Sequence, residues 1–112
     1  MGIITHFTHR SDWDNAAESG FYTAPSLETQ GFIHCSTPEQ VTGVADRIAR
    51  DWDDTVLIWI DEAKVEATIT YENLEGGDVL FPHMYGPLSL DAVIGVTPFP
   101  KNEKGEYELP QT

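Results

Sequence analysis

Cysteine occurs once in this chain, at Cys35, so no internal disulfide can form, which fits a reducing compartment. Basic residues are nearly as scarce: Arg10, Arg47, Arg50, Lys64, Lys101 and Lys104 stand against nineteen carboxylates, and the formal net charge is −13. An acid surplus of that size repels polyanions at long range. No cluster of the six cations makes a stripe that tracks a phosphate backbone, so nucleic acid is disfavoured as a partner. The surplus reads instead as solvation and repulsion between copies. Apolar runs fall well short of the roughly 20 residues a membrane-spanning helix needs. The stretch Met1-Gly2-Ile3-Ile4-Thr5-His6 has neither a basic leader nor a long apolar segment, so the expectation is a cytoplasmic protein with no membrane partner. Also missing are a Gly-x-Ser-x-Gly elbow, a Walker loop, a Gly-x-Gly-x-x-Gly turn and any internal repeat, which removes support for a Ser-His hydrolase.

What is present is a chain of 112 residues, 40% hydrophobic and well supplied with aromatics, enough for one core and one domain. That domain is expected over residues 1–100, with 101–112 as a polar, loosely held tail. Ile3 to Thr8 is β-branched and aromatic and reads as a first strand. Ser11 offers an N-cap with Asp14 three residues on, and Trp13, Ala16 and Ala17 share a helical face that Gly20 ends. Phe21 to Gln30, with Pro25 and Ser26, reads as a loop leading into a strand at Gly31. Thr37 as N-cap, Pro38 at N1 and Gln40 at N3 predict a second helix whose apolar face is Val41, Val44, Ala45 and Ile48. Thr55 to Ile60 is continuously apolar, the pattern of a strand covered on both faces at the centre of a sheet. A short turn over 61–65, a strand from Ala67 to Tyr71, a break at Gly76-Gly77 and a last strand over Ala92 to Val96 complete the reading.

Two segments, Gly31-Phe32-Ile33-His34-Cys35-Ser36 and Phe81-Pro82-His83-Met84-Tyr85-Gly86, each set a histidine in an apolar, strand-like stretch. Imidazole changes charge near neutrality, so histidines brought together by folding can bind metal, shuttle protons or grip a polar ligand. Strand alternation puts Phe32, His34 and Ser36 on one face and Ile33 and Cys35 on the other, which makes Cys35 a core residue. Ser36 and Thr37 lie at a strand-to-helix junction, where first-turn N–H groups can hold a phosphate or carboxylate or can simply be capped. Pro82, Gly86 and Pro87 make Phe81 to Leu88 read as a rigid irregular segment rather than a central strand. It serves either as a ligand wall or as a turn with Phe81, Met84 and Leu88 as core plugs. Glu72 and Asp78 are placed to orient His83 or to act as a base, and His9 reads as a surface residue. His6, His34 and His83 converge only if their strands are neighbours, and none has the spacing that marks a zinc site.

The pattern of Ser26-Leu27, then Gly31 to Ser36, then Phe81-Pro82-His83-Met84-Tyr85-Gly86-Pro87-Leu88 before a Val-rich strand resembles the bacterial domain of unknown function 952 family, from about Thr5 to Phe99. The resemblance implies an α+β fold, a mixed split β-sheet with two main helices. That fold is similar to the one of ADP-ribosyltransferases and RNA 2′-phosphotransferases, which bind NAD in a cleft. By that resemblance His6 matches the histidine that contacts the nicotinamide ribose. His34 stands where an aromatic stacks on nicotinamide, and His83 stands where a glutamate drives transfer. An imidazole does not stabilise an oxocarbenium ion as a carboxylate does, and Arg10 is the only cation near a motif where the phosphotransferases need several. The implied site is a cleft for a small, nucleotide-like ligand with NAD among the candidate cofactors. In it His83, His34 and His6 are catalytic, and Ser36, Tyr85, Ser26 and Thr5 bind the ligand. The alternatives are a non-catalytic ligand-binding module of the same fold and a histidine metal site.

Overall fold

The computed structural model describes residues 2–73 and 79–110. The elements run in the order β1 (Ile3–His9), α1 (Arg10–Ala17), β2 (Phe21–Tyr22), α2 (Pro25–Gln30), β3 (Ile33–His34), α3 (Pro38–Ile48), β4 (Thr55–Asp61), β5 (Thr68–Glu72), β6 (Phe81–Tyr85), β7 (Leu88–Ser89) and β8 (Val93–Pro98). They form an α+β domain of three sheets, β1-β4-β8, β2-β7 and β3-β6-β5. Every pairing among the described strands is antiparallel, which corrects the expected mixed sheet. The Gly76-Gly77 break and Asp78 lie outside the described residues. No helix among the described residues is long and apolar enough to cross a membrane.

β4 is the centre of its sheet, as its apolar run predicts, because both its faces are covered. Val56, Ile58 and Ile60 enter one core with Ile4, Ile33, Cys35, Met84 and Leu88. Leu57, one residue out of phase, enters a second core with Val41, Ala45, Ala49, Phe99 and Tyr107. Each fully buried aliphatic side chain of this kind contributes about 1.5–3 kcal/mol.

Three local expectations need correction. α1 starts at Arg10 rather than after a Ser11 cap, since the Arg10 N–H donates across the chain to the Asp54 carbonyl at 3.1 Å and its guanidinium grips the Asp54 carboxylate at 2.8 Å. A tertiary contact thus replaces the side-chain cap. The expected loop over 21–30 contains β2 and α2. Pro25 sits at the start of that helix and Gly31, at φ +88°, ends it by donating to the Leu27 and Ser26 carbonyls. Phe81–Tyr85 is a regular strand, and the central one of its sheet, despite Pro82.

Proline is tolerated there because of where its missing donor points. Cys35 N–H donates to the Pro82 carbonyl at 3.1 Å, and Pro82 has no N–H with which to return the bond. The β3 ladder therefore stops at His34, and the next residue but one pairs elsewhere. Ser36 and Thr5 exchange backbone hydrogen bonds of 2.7 and 2.9 Å, and the Thr5 hydroxyl adds a third to the Ser36 carbonyl at 2.8 Å. This single bridge ties the β3-β6-β5 sheet to the edge of the β1-β4-β8 sheet. α3 follows at once, with Gln40 closing back on the Thr37 N–H at 3.0 Å as the predicted capping box requires.

Of the segment expected to be a loose tail, residues 101–108 are anchored. Tyr107 is 3% exposed, its hydroxyl donates to the Ala49 carbonyl at 2.8 Å and meets the Thr55 hydroxyl at 3.0 Å, and its N–H donates to Asp46. Lys101 caps the carbonyls of Arg50 and Trp52 at 2.6 and 2.7 Å.

Candidate functional site

Where the two sheets meet, a cavity of about 700 Å³ opens between β1, β3, β6 and α3. All four histidines reach its wall, with Ser36 and Ser26 beside them, so folding brings together residues up to 77 positions apart in sequence, from His6 to His83. Its volume is in the range of small-molecule and cofactor sites. Most of the surface is apolar, from rings such as Phe32, Phe81 and Trp52, with a few polar groups facing inward.

His6 is held on both sides. Its Nδ1 lies 2.6 Å from the His34 carbonyl, which can only accept, so Nδ1 carries the proton. Nε2 is then left as an acceptor, and the buried Tyr22 hydroxyl donates to it at 2.8 Å. Burial pushes the His6 pKa down to about 4 and the Tyr22 hydroxyl up to about 12, so the pair stays neutral at physiological pH. With both nitrogens engaged, His6 acts as a strut between β1, β2 and β3.

His83 is different. It faces His34 directly across the β3-β6 ladder, and it is 6% exposed. Phe32 stacks on its ring at 4.2 Å between centroids and an interplanar angle of 23°, which fixes the ring plane. Its Nδ1 donates to Glu72 Oε1 at 2.9 Å. The same carboxylate oxygen accepts from the Tyr85 hydroxyl, and these two donors, Tyr85 first, hold Glu72 below the usual carboxylate range. The bond to Glu72 in turn raises the Tyr85 hydroxyl. Among the described residues nothing hydrogen-bonds His83 Nε2, and this nitrogen is not sealed from solvent. An imidazole on a cavity wall, oriented through Nδ1 by a carboxylate and with Nε2 unbonded, has the chemistry to move protons.

The other expected site residues divide. His34 lines the cavity with its Nε2 against the Gln30 side chain and its ring edge-on to His83 at 5.5 Å. Ser36 lines it as well, 4% exposed, and no hydrogen bond to its hydroxyl is made among the described residues. Ser26 lines it while donating to the Phe32 carbonyl at 2.8 Å. Thr5 is fully buried in the bridge between the sheets, away from the wall, and Tyr85 lies outside the wall behind Glu72. Cys35 packs in the first core and also reaches the cavity wall, its thiol pushed up to about 12 by burial, which disfavours the thiolate. No three His, Cys, Asp or Glu side chains gather as metal ligands among the described residues.

Several wall residues escape a sequence reading. Tyr22 lies in the segment read as loop, and Trp52 follows α3 with its ring stacked on His9 at 4.1 Å, which corrects the surface assignment of His9. Val44 and Ile48, assigned to the core face of α3, line the cavity instead, and Ile48 is 60% exposed. Arg47 stands between them. The one available signal is the i, i+3, i+4 spacing of these three, which places them on one helical face.

The comparisons with known proteins agree with this architecture. The crystal structure of protein CC0527 from Caulobacter crescentus is similar to this chain with a TM-score of 0.84 at 26% identity, covering 95% of this chain and 93% of that one. The solution NMR structure of the same protein gives 0.82 at 27% identity, covering 95% and 91%. No curated protein matches the chain. A family model described as protein of unknown function (DUF952) matches residues 7–96, and the chain belongs to that family.

Proposed function

We propose that the chain is a small-ligand enzyme of nucleotide-linked type, in which the cavity holds the ligand and His83, oriented by Glu72, carries a proton to or from it. The observation behind this reading is the asymmetry of His83: Nδ1 is bound to Glu72 at 2.9 Å while Nε2 has no hydrogen-bond partner among the described residues. Phe32, stacked on the ring, keeps it from turning. The junction of two antiparallel sheets at Thr5 and Ser36 beside a cavity supports kinship with the NAD-binding transferase folds. The chemistry differs from theirs, since the carboxylate, Glu72, stands behind the imidazole. Proton transfer fits this order, and stabilisation of an oxocarbenium ion by a carboxylate does not. His34 and Ser36 line the same wall and orient the ligand.

Incubation with NAD, ADP-ribose and mononucleotides, followed by product analysis and by NMR of the histidine ring protons, tests the reading. Turnover that His83→Gln abolishes and Glu72→Gln lowers by about 10²-fold or more supports it. Binding that shifts the His83 signals without product identifies a non-catalytic binding module of the same fold. Ligands that leave every histidine signal in place reject the site.

A further inference from the structure

We infer that the ligand of this cavity carries an anionic group, phosphate or carboxylate, and that Arg47 binds it; the inference rests on the cavity reading above. Among the described residues Arg47 is the one Lys or Arg on the cavity wall. Arg10 is engaged by Asp54 at 2.8 Å, and Lys101 spends its ammonium on two backbone carbonyls. Arg47 makes no ion pair among the described residues; neither do Arg50, Lys64 and Lys104, but those three stand off the wall. Asp12, which shares the wall, stays beyond ion-pair distance.

The surroundings of Arg47 point the same way. Ile48 beside it is 60% exposed and Val44 one turn before is half-buried, so a well-capped helix turns an incompletely packed apolar stripe and a cation toward the cavity. Trp52, with His9 stacked on it, continues that surface. An apolar and aromatic wall with one guanidinium suits an anion joined to a ring. In a protein of net charge −13 the long-range field repels anions, so capture of one depends on a local cation, which the exposed Arg47 supplies at the cavity wall. Guanidinium meets phosphate or carboxylate through two parallel N–H donors.

Calorimetric titration of the full chain with AMP against adenosine, and with nicotinate against nicotinamide, separates the phosphate from the carboxylate form of the ligand. The expected result is that the anionic member of one pair binds about tenfold or more tighter than its neutral partner. Arg47→Gln should erase that preference and Arg47→Lys restore part of it, with the unliganded melting temperature unchanged in both. Equal affinity within both pairs, or a preference that survives in Arg47→Gln, overturns the role of Arg47 and leaves the cavity reading standing. Failure of all four compounds to bind overturns both.

Discussion

At the scale of single residues, the two central histidines show how identical side chains acquire opposite roles from their partners. His6 has a carbonyl on one nitrogen and a buried phenol on the other, so it is locked neutral, whereas His83 has a carboxylate on one nitrogen and no hydrogen-bond partner among the described residues on the other. A folded pKa of about 4 for His6, below the ordinary value of 6.5, means the unfolded chain binds the extra proton first. The neutral strut therefore contributes fully above pH 6.5, and its contribution is lost as pH falls toward 4, amounting to about 3 kcal/mol across that window. His6→Phe leaves the His34 carbonyl unpaired, at about 1–3 kcal/mol at neutral pH, and takes one of its partners from the Tyr22 hydroxyl, which keeps its hydrogen bond with Thr8. The gap between the two proteins should then narrow by about 3 kcal/mol on acidification, because only the native chain has this proton to take up. Urea denaturation across that pH window measures it, and a constant gap contradicts the neutral-strut assignment. The sequence showed that these histidines sit in apolar stretches, but their partners lie 16 and 28 residues from His6 and 11 from His83, and only folding selects them.

At the scale of elements, legibility followed how local the deciding interaction is. α3 was readable because its signals are all within four residues: Thr37, Pro38 and Gln40 at the start and an apolar repeat behind them. Gln40 also does something no local pattern reveals, since its amide donates to the Leu80 carbonyl at 2.8 Å and ties the helix start to the approach of β6. Gln40→Ala should cost about 1 kcal/mol. Hydrogen exchange should quicken both in the first turn of α3 and at Leu80 and Phe81; quickening confined to the helix counts against the tie. β6 was misread for the converse reason: proline argues against a central strand on average, and whether its missing donor matters depends on what lies opposite. Here Cys35 lies opposite, at the point where the chain leaves for Thr5. α2 went unseen because six residues with no buried side chain have no periodicity to detect.

At the scale of the molecule, the second core depends on the segment after β8. Tyr107 closes it against Val41, Ala45, Ala49, Leu57 and Phe99 while satisfying the Ala49 carbonyl near the end of α3. Tyr107→Ala should cost about 3–5 kcal/mol, a large share of the 5–15 kcal/mol typical of a whole domain, and Tyr107→Phe about 1–2 kcal/mol. Thermal melts of both variants decide this, and a loss within experimental scatter for Tyr107→Ala means the segment is only draped over the core. Because Lys101 in the same segment holds the carbonyls of Arg50 and Trp52, the cavity rim at Trp52 should loosen along with the core.

The sequence by itself determined what short-range chemistry decides. It placed the central two-faced strand β4, the capped helix α3, Cys35 in the core, and a family pattern whose histidine motifs mark the chain. Only the tertiary structure decided that His6 is a strut and His83 an oriented imidazole, that Thr5 belongs to the joint between sheets, and that Arg47 and Trp52 belong to the cavity. Those outcomes rest on pairings between distant segments. Hydrogen-bond partner, burial and open space belong to the pair or the wall, and a residue carries none of them until the chain has closed around it.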